Sequence, residues 1–286
     1  MSHDHLNVSL GLFIPSVWPH FTVEDLVALA IAAEEAEVET IWLPEHVVTF
    51  DSNDRVLSYG SAGTFDPIVV LAHLVAYTKR LRLGTGVALI SQRQPLFFAK
   101  EIATLDHVSG GRVDVGVGVG WIREEFQALG RAREDRGRLA DRSLGILLSL
   151  WCDHVSEYHD NEYDLSPCRS YPKPVQSPHP PIYVGGSSDA ALRRVTRSGQ
   201  GWIPFGLDVT TFSQRRGVLG RLLGAENRRL EDLTTVVCPH RPIDRRDVGG
   251  YADAGADQVV LSFPRERQSG DVRRELDSLL QAASRG

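Results

Sequence analysis

The sequence is poor in the features that mark several large functional classes. Its three cysteines, Cys152, Cys168 and Cys238, are odd in number and far apart, which fits neither a disulfide framework nor a zinc site built on Cys-x-x-Cys pairs. A reducing cytoplasm is the setting such cysteine usage predicts. No run of about 18 apolar residues occurs, and the N-terminal MSHDHLNVSL lacks a basic segment followed by an apolar one. Neither a spanning helix nor an export signal is expected. Lys/Arg runs are also absent and the formal net charge is −6, so the chain offers no electrostatic footprint for nucleic acid or an anionic membrane. There is no Gly-x-Ser-x-Gly elbow, no P-loop and no cysteine in an activated setting. His3 and His5 stand in the tail, His154 and His159 flank a polar turn, and no other His/Asp/Glu group has metal-ligand spacing. No metal is expected.

What is present is an alternation. In 286 residues with 42% hydrophobic content, short β-branched or apolar runs alternate with longer helical patterns, as in a parallel sheet covered by helices. The runs are Val8–Ile14, Thr40–Leu43, Leu81–Leu89, Val113–Val119, Ile182–Val184, Trp202–Phe205, Thr234–Cys238 and Gln258–Ser262. Helix starts are legible between them. Thr22 with Asp25 forms a capping-box pattern ahead of the stripe Val23, Leu26, Val27, Ala30 and Ile31. Asp66-Pro67 is an N-cap followed by proline at the first helical position, and a third helix starts at Pro95. With no internal repeat or low-complexity linker, residues 1–286 are expected to form one domain. Eight βα units in this length match a (β/α)8 TIM barrel with insertions, whose active site gathers at the C-terminal ends of the strands.

Two segments interrupt the alternation. Residues 47–64, VVTFDSNDRVLSYGSAGT, are polar, contain glycine and exceed an ordinary βα loop; they read as a lid or as a disordered insertion. Val155–Pro174 reads as a small hairpin before the fifth strand.

The stretch VDVGVGVGW, Val113–Trp121, decides between the barrel and an open doubly wound sheet. A dinucleotide-binding sheet is expected to carry Gly-x-Gly-x-x-Gly after a strand. Starting that pattern at Gly116 puts Trp121 in the third glycine position, and starting at Gly118 puts Arg123 there. The barrel is favoured. In it the valines are expected to pack one face of the strand, while Gly116, Gly118 and Gly120 leave the other bare, making room for a flat cofactor near the rim.

At the strand ends the candidate residues converge. They are Glu45-His46, Gly84 to Val87, Gly118 to Trp121 and Gly185-Gly186-Ser187-Ser188. The last group precedes the helix Asp189–Arg197, where free N–H groups and the helix dipole suit a phosphate; alternatively Ser188 only caps the helix. His46, where the chain leaves the second strand, can supply or stabilise a proton near neutrality. Glu45 is expected to point elsewhere. Glu124 and Glu125 open the helix after the fourth strand, where a solvated, dipole-favoured role is the default.

The segments TIWLPEHV, LRLGTGVALISQRQP, KEIATLDHVSGGRVDVGVGVGWIREEFQALG and YPKPVQSPHPPIYVGGSSDAALRRVTRSGQGWIP, with their spacing, resemble the luciferase-like monooxygenase superfamily over roughly residues 8 to 206. The likeness is strongest to its coenzyme F420 (deazaflavin) oxidoreductase branch. It implies a barrel binding F420, or alternatively FMN, at the C-terminal strand ends, with Glu45 and His46 as the catalytic acid–histidine pair beside the ring. It further implies a non-prolyl cis peptide at Gly86-Val87 behind the ring, phosphate binding at Gly185, Gly186, Ser187 and Ser188, and a homodimer. Trp121 replaces the acidic glutamate of the family's sugar-phosphate dehydrogenases, so their substrate is not expected; Trp121 either walls the pocket or packs under the next helix. The resemblance thus implies hydride transfer between F420 and a small organic substrate. Its alternatives are an FMN-dependent monooxygenase and a non-catalytic flavin-binding barrel.

Overall fold

Side chains on a strand alternate between two faces, and in this protein one face meets helices while the other meets the inside of a barrel. The computed structural model describes residues 8–48, 50, 63–264 and 271–284. The strands are β1 (Ser9–Phe13), β2 (Thr40–Leu43), β3 (Arg82–Thr85), β4 (Ala88–Leu89), β5 (Val113–Gly118), β6 (Ser156–His159), β7 (Asp164–Cys168), β8 (Ile182–Gly185), β9 (Gly201–Ile203), β10 (Thr234–Val237) and β11 (Gln258–Ser262). Parallel pairing runs β1-β2-β3-β5-β8-β9-β10-β11 and returns to β1. This closed eight-stranded parallel barrel with its helices is the expected (β/α)8 architecture.

Local signals act as the residues dictate. Thr22 and Asp25 exchange both capping-box hydrogen bonds at the head of the helix Val23–Glu35. Asp66 caps Pro67–Leu74 through Val69 N–H, and Pro95 opens Pro95–Ser109. Residues β6 and β7 form the antiparallel hairpin expected within Val155–Pro174. Two strands differ from expectation. The long third run is divided into β3 and β4, and the break holds the cis peptide between Gly86 and Val87 that the resemblance implied. The sixth ends at Ile203, with only an isolated bridge from Phe205 to Cys238 beyond it. The proposed lid at 47–64 falls mostly on residues 49 and 51–62, outside the described residues. No helix among the described residues is long and apolar enough to cross a membrane.

The apolar residues divide into two groups. Val113, Val115 and Val117 join the main core between barrel and helices, with Leu12, Ile41 and Leu83. A smaller cluster inside the barrel holds Phe13, Trp42, Tyr183, Ile203, Val236, Cys238 and Val260, with Val87 and Phe205 packed on it. At the N-terminal strand ends the interior turns polar: Arg82 Nε donates to Asp114 at 2.8 Å, and Gln258 receives Trp42 Nε1 at 2.9 Å. At the other end, the C-terminal ends of the strands where active sites of this architecture gather, the inner apolar layer meets the loops.

Candidate functional site at the C-terminal mouth

The bare face of β5 is filled by the protein itself. A Cβ on Gly116 would stand 2.0 Å from the carbonyl oxygen of Thr85, and one on Gly118 would stand 2.5 Å from Val87 Cγ2. A Cβ on Gly185 would come within 3.2 Å of Val87 Cγ1. Val87 therefore occupies space that two missing side chains leave, and it reaches the mouth half-buried. The clearance expected for a cofactor is thus used first by the neighbouring strand at Gly86-Val87. Gly120, with φ of 70°, also makes room for a side chain: its Cβ would lie 2.9 Å from Gln92 Nε2.

His46 stands at the exit of β2. Its Nδ1 lies 3.3 Å from Glu125 Oε2, and the neighbouring Val47 N–H donates to Glu125 Oε1 at 2.8 Å. Gln92 Nε2 adds a third contact, to Glu125 Oε2 at 3.4 Å. Glu125 is completely buried, whereas the His46 side chain is 12% exposed. The sequence assigns Glu125 a solvated place, and the structure corrects this: Ile122, Glu125 and Phe126 share the buried face of the short helix Arg123–Ala128. That i, i+3, i+4 spacing is the signal that could have found it. Trp121 meets the ring of His46 edge-on, with centroids 6.1 Å apart, and its carbonyl accepts from Arg133 Nε at 2.8 Å. Trp121 is thereby half-buried beside His46.

Glu45 points the other way. Its Oε2 accepts from Leu89 N–H at 2.7 Å and its Oε1 from Arg93 Nε at 2.6 Å. Burial pushes the Glu45 carboxyl up from the ordinary range, against the opposing pull of Arg93 and the Leu89 N–H. Arg93 also pairs with Asp66 and Glu101, so Glu45 ties the segment after Gly86-Val87 to the N-cap of Pro67–Leu74 and to the middle of Pro95–Ser109.

On the adjoining strand, Gly185 and Gly186 lead to Ser188, whose side chain accepts from Ala191 N–H and caps the helix Asp189–Ser198. The first N–H groups of a helix have no acceptor within it. Gly186 has φ of 95°, a conformation costly for any other residue, and its carbonyl accepts from Trp202 Nε1 at 2.7 Å. The structure thus brings His46, Trp121, Gly118, Gly120 and Val87 to one side of the mouth, with Gly185 to Ser188 across β8. This arrangement places together an apolar floor, a histidine at the rim and a helix start that Ser188 caps, the alternative reading of that serine.

A family model for the luciferase-like monooxygenases matches residues 8–247. An uncharacterised protein of Mycobacterium tuberculosis (strain ATCC 25618 / H37Rv) is 35% identical over 275 residues, covering 91% of this chain and 95% of that protein. An FMNH(2)-dependent dimethylsulfone monooxygenase of Pseudomonas putida is 32% identical over 142 residues, which is 49% of this chain and 39% of that enzyme. Among solved structures, an F420-dependent secondary alcohol dehydrogenase holding an F420–acetone adduct superposes with a TM-score of 0.77 at 16% identity, covering 98% of this chain and 99% of that one. At that identity the likeness is one of fold.

Proposed function

The chain belongs to the luciferase-like monooxygenase family, and from that premise we propose that it is an oxidoreductase transferring a hydride between coenzyme F420 and a small organic substrate. One observation carries this reading: a histidine is held at the C-terminal mouth by a buried carboxylate, with a tryptophan edge beside it and an apolar layer inside. The residues suit a tricyclic cofactor with a phosphate-bearing tail. Val87 and Phe205 offer it an apolar surface, Gly185 to Ser188 with the following helix start offer N–H groups to the phosphate, and Trp121 walls the same side as His46. When bound, F420 supplies the hydride chemistry. His46 holds, at an imidazole nitrogen, the proton that accompanies the hydride. Glu45 acts as a positioning residue, keeping the segment that includes Val87 in place through Leu89 and Arg93.

The similarity to the FMNH(2)-dependent enzyme over 142 residues favours a second reading, oxygen-dependent monooxygenation with reduced FMN. Titrating the purified protein separately with F420 and FMN, and following quenching of cofactor fluorescence, separates the two. Binding of F420 is expected; tight FMN binding with none of F420 overturns the preferred cofactor. His46→Ala is expected to lower turnover about 10²–10⁴-fold, as loss of a proton-transfer group does, with cofactor affinity nearly unchanged. Undiminished turnover would remove His46 from the chemistry.

A further inference from the structure

Resting on the reading of His46 given above, we propose that Glu125 is its positioning residue: it fixes Nδ1 as the protonated nitrogen of the neutral ring and leaves Nε2 as the site of proton exchange. An ionised carboxylate has only acceptors. Two N–H donors, from Val47 and Gln92, and the Nδ1 of His46 converge on the two oxygens of Glu125. The His46 contact is satisfied when Nδ1 carries hydrogen, which reverses the preference of a free imidazole in water. The same carboxylate grips the backbone of Val47, one residue on, so ring and main chain are held by one group that burial keeps from water. A flip of the ring would leave Oε2, on a fully buried side chain, with only the longer 3.4 Å contact from Gln92 among the described residues.

Gln92 completes the arrangement. Its amide nitrogen faces Glu125, because the opposite orientation would set two oxygens against each other. It occupies the space opened by the missing side chain of Gly120. Its own Oε1 is buried and has no hydrogen-bond partner among the described residues, so its side-chain hydrogen bond is the one to Glu125. Glu125 thus reaches the reaction only through His46, as carboxylates do that select a histidine tautomer in catalytic triads.

The test needs no cofactor. The full chain, labelled with ¹⁵N-histidine, is examined by two-bond ¹H–¹⁵N correlation spectroscopy, and the His46 signals are assigned by their loss in His46→Asn. At a pH where the ring is neutral, the expected spectrum has His46 protonated on Nδ1. In Glu125→Met, which removes both acceptors and adds no donor, the ring is expected to shift to predominantly Nε2–H. A wild-type ring protonated on Nε2, or a folded Glu125→Met protein that keeps the Nδ1–H form, overturns the assignment. If Glu125→Met does not fold, the wild-type tautomer decides alone. The His46→Ala turnover measurement fails or succeeds independently of this spectrum, so an error about the role of His46 is distinguishable from an error about Glu125.

Discussion

If the glycines of β5 stand clear for neighbouring chain rather than for a ligand, adding one methyl group at a time should be costly before any cofactor is present. The two positions differ in what they strike. At Gly116 the added Cβ would sit 2.0 Å from a backbone carbonyl oxygen, that of Thr85, and 3.4 Å from Trp42 Cζ3. Relieving that contact requires β3 and β5 to separate by about 1 Å, in a barrel whose interior is close-packed. Gly116→Ala is therefore expected to cost more than about 3 kcal/mol, above the usual range for overpacking. At Gly118 the obstacle is a side chain, Val87 Cγ2 at 2.5 Å, so Gly118→Ala is expected to cost about 1–3 kcal/mol. For a chain of this size that is a fall in Tm of about 2–5 °C. Val87→Ala in the Gly118→Ala background removes the struck atoms and should recover at least about 1 kcal/mol of coupling, whereas Val87→Ala should not rescue Gly116→Ala. Urea unfolding of the cofactor-free proteins, followed by tryptophan fluorescence, measures all of these. Wild-type stability in Gly116→Ala, or strict additivity of Gly118→Ala with Val87→Ala, would refute the assignment of that space to the chain.

Two further outcomes follow from buried ionisable groups. Arg93→Met strips Glu45 of its charged partner and is expected to cost about 3–5 kcal/mol, as removal of one member of a buried pair does. Because burial raises the Glu45 carboxyl in the folded state, the folded protein binds the proton more tightly than the unfolded chain; the loss in Arg93→Met should be smaller near pH 4.5 and grow as pH rises. Equal losses in urea unfolding at pH 5 and pH 8 would contradict that. Cys238, fully buried inside the barrel, has its thiol pushed up to about 12 by burial, so it should resist Ellman's reagent at pH 8 in the folded protein while exposed Cys152 reacts. Its raised value adds stability that is complete below about pH 8.5 and lost as pH rises toward the folded value, so Cys238→Ser should flatten the decline in stability there; an unchanged decline, or a fast-reacting thiol that disappears in Cys238→Ser, counts against the buried placement.

What could be read from the chain, and what could not, follows from the range of the interactions. The alternation of valine and glycine over Val113–Gly118 is a local, period-2 signal, and it correctly sends Val113, Val115 and Val117 to the helix side. The capping residues Thr22 and Asp66 act within three residues of themselves and are equally legible. What fills the bare face is not local. Thr85 and Val87 come from some thirty residues before Gly116 and Gly118, and Val87 from nearly a hundred before Gly185; they meet because β3, β5 and β8 are neighbours in the closed barrel. A single sequence records the missing side chains but not which group uses the space, so the glycines marked the region without showing that Val87 and Gln92 lie against them. Glu125 was hidden for a related reason. A glutamate in the first turn of a helix is ordinarily accounted for by the helix dipole, and that local explanation sufficed until the fold placed His46 and Gln92 against it. The residue that the sequence made most ordinary is the one on which the donors converge, and VDVGVGVGW reads accordingly: its glycines let β3 bring Val87 to the mouth and let Gln92 reach Glu125, so the strand shapes the site by admitting other residues to it.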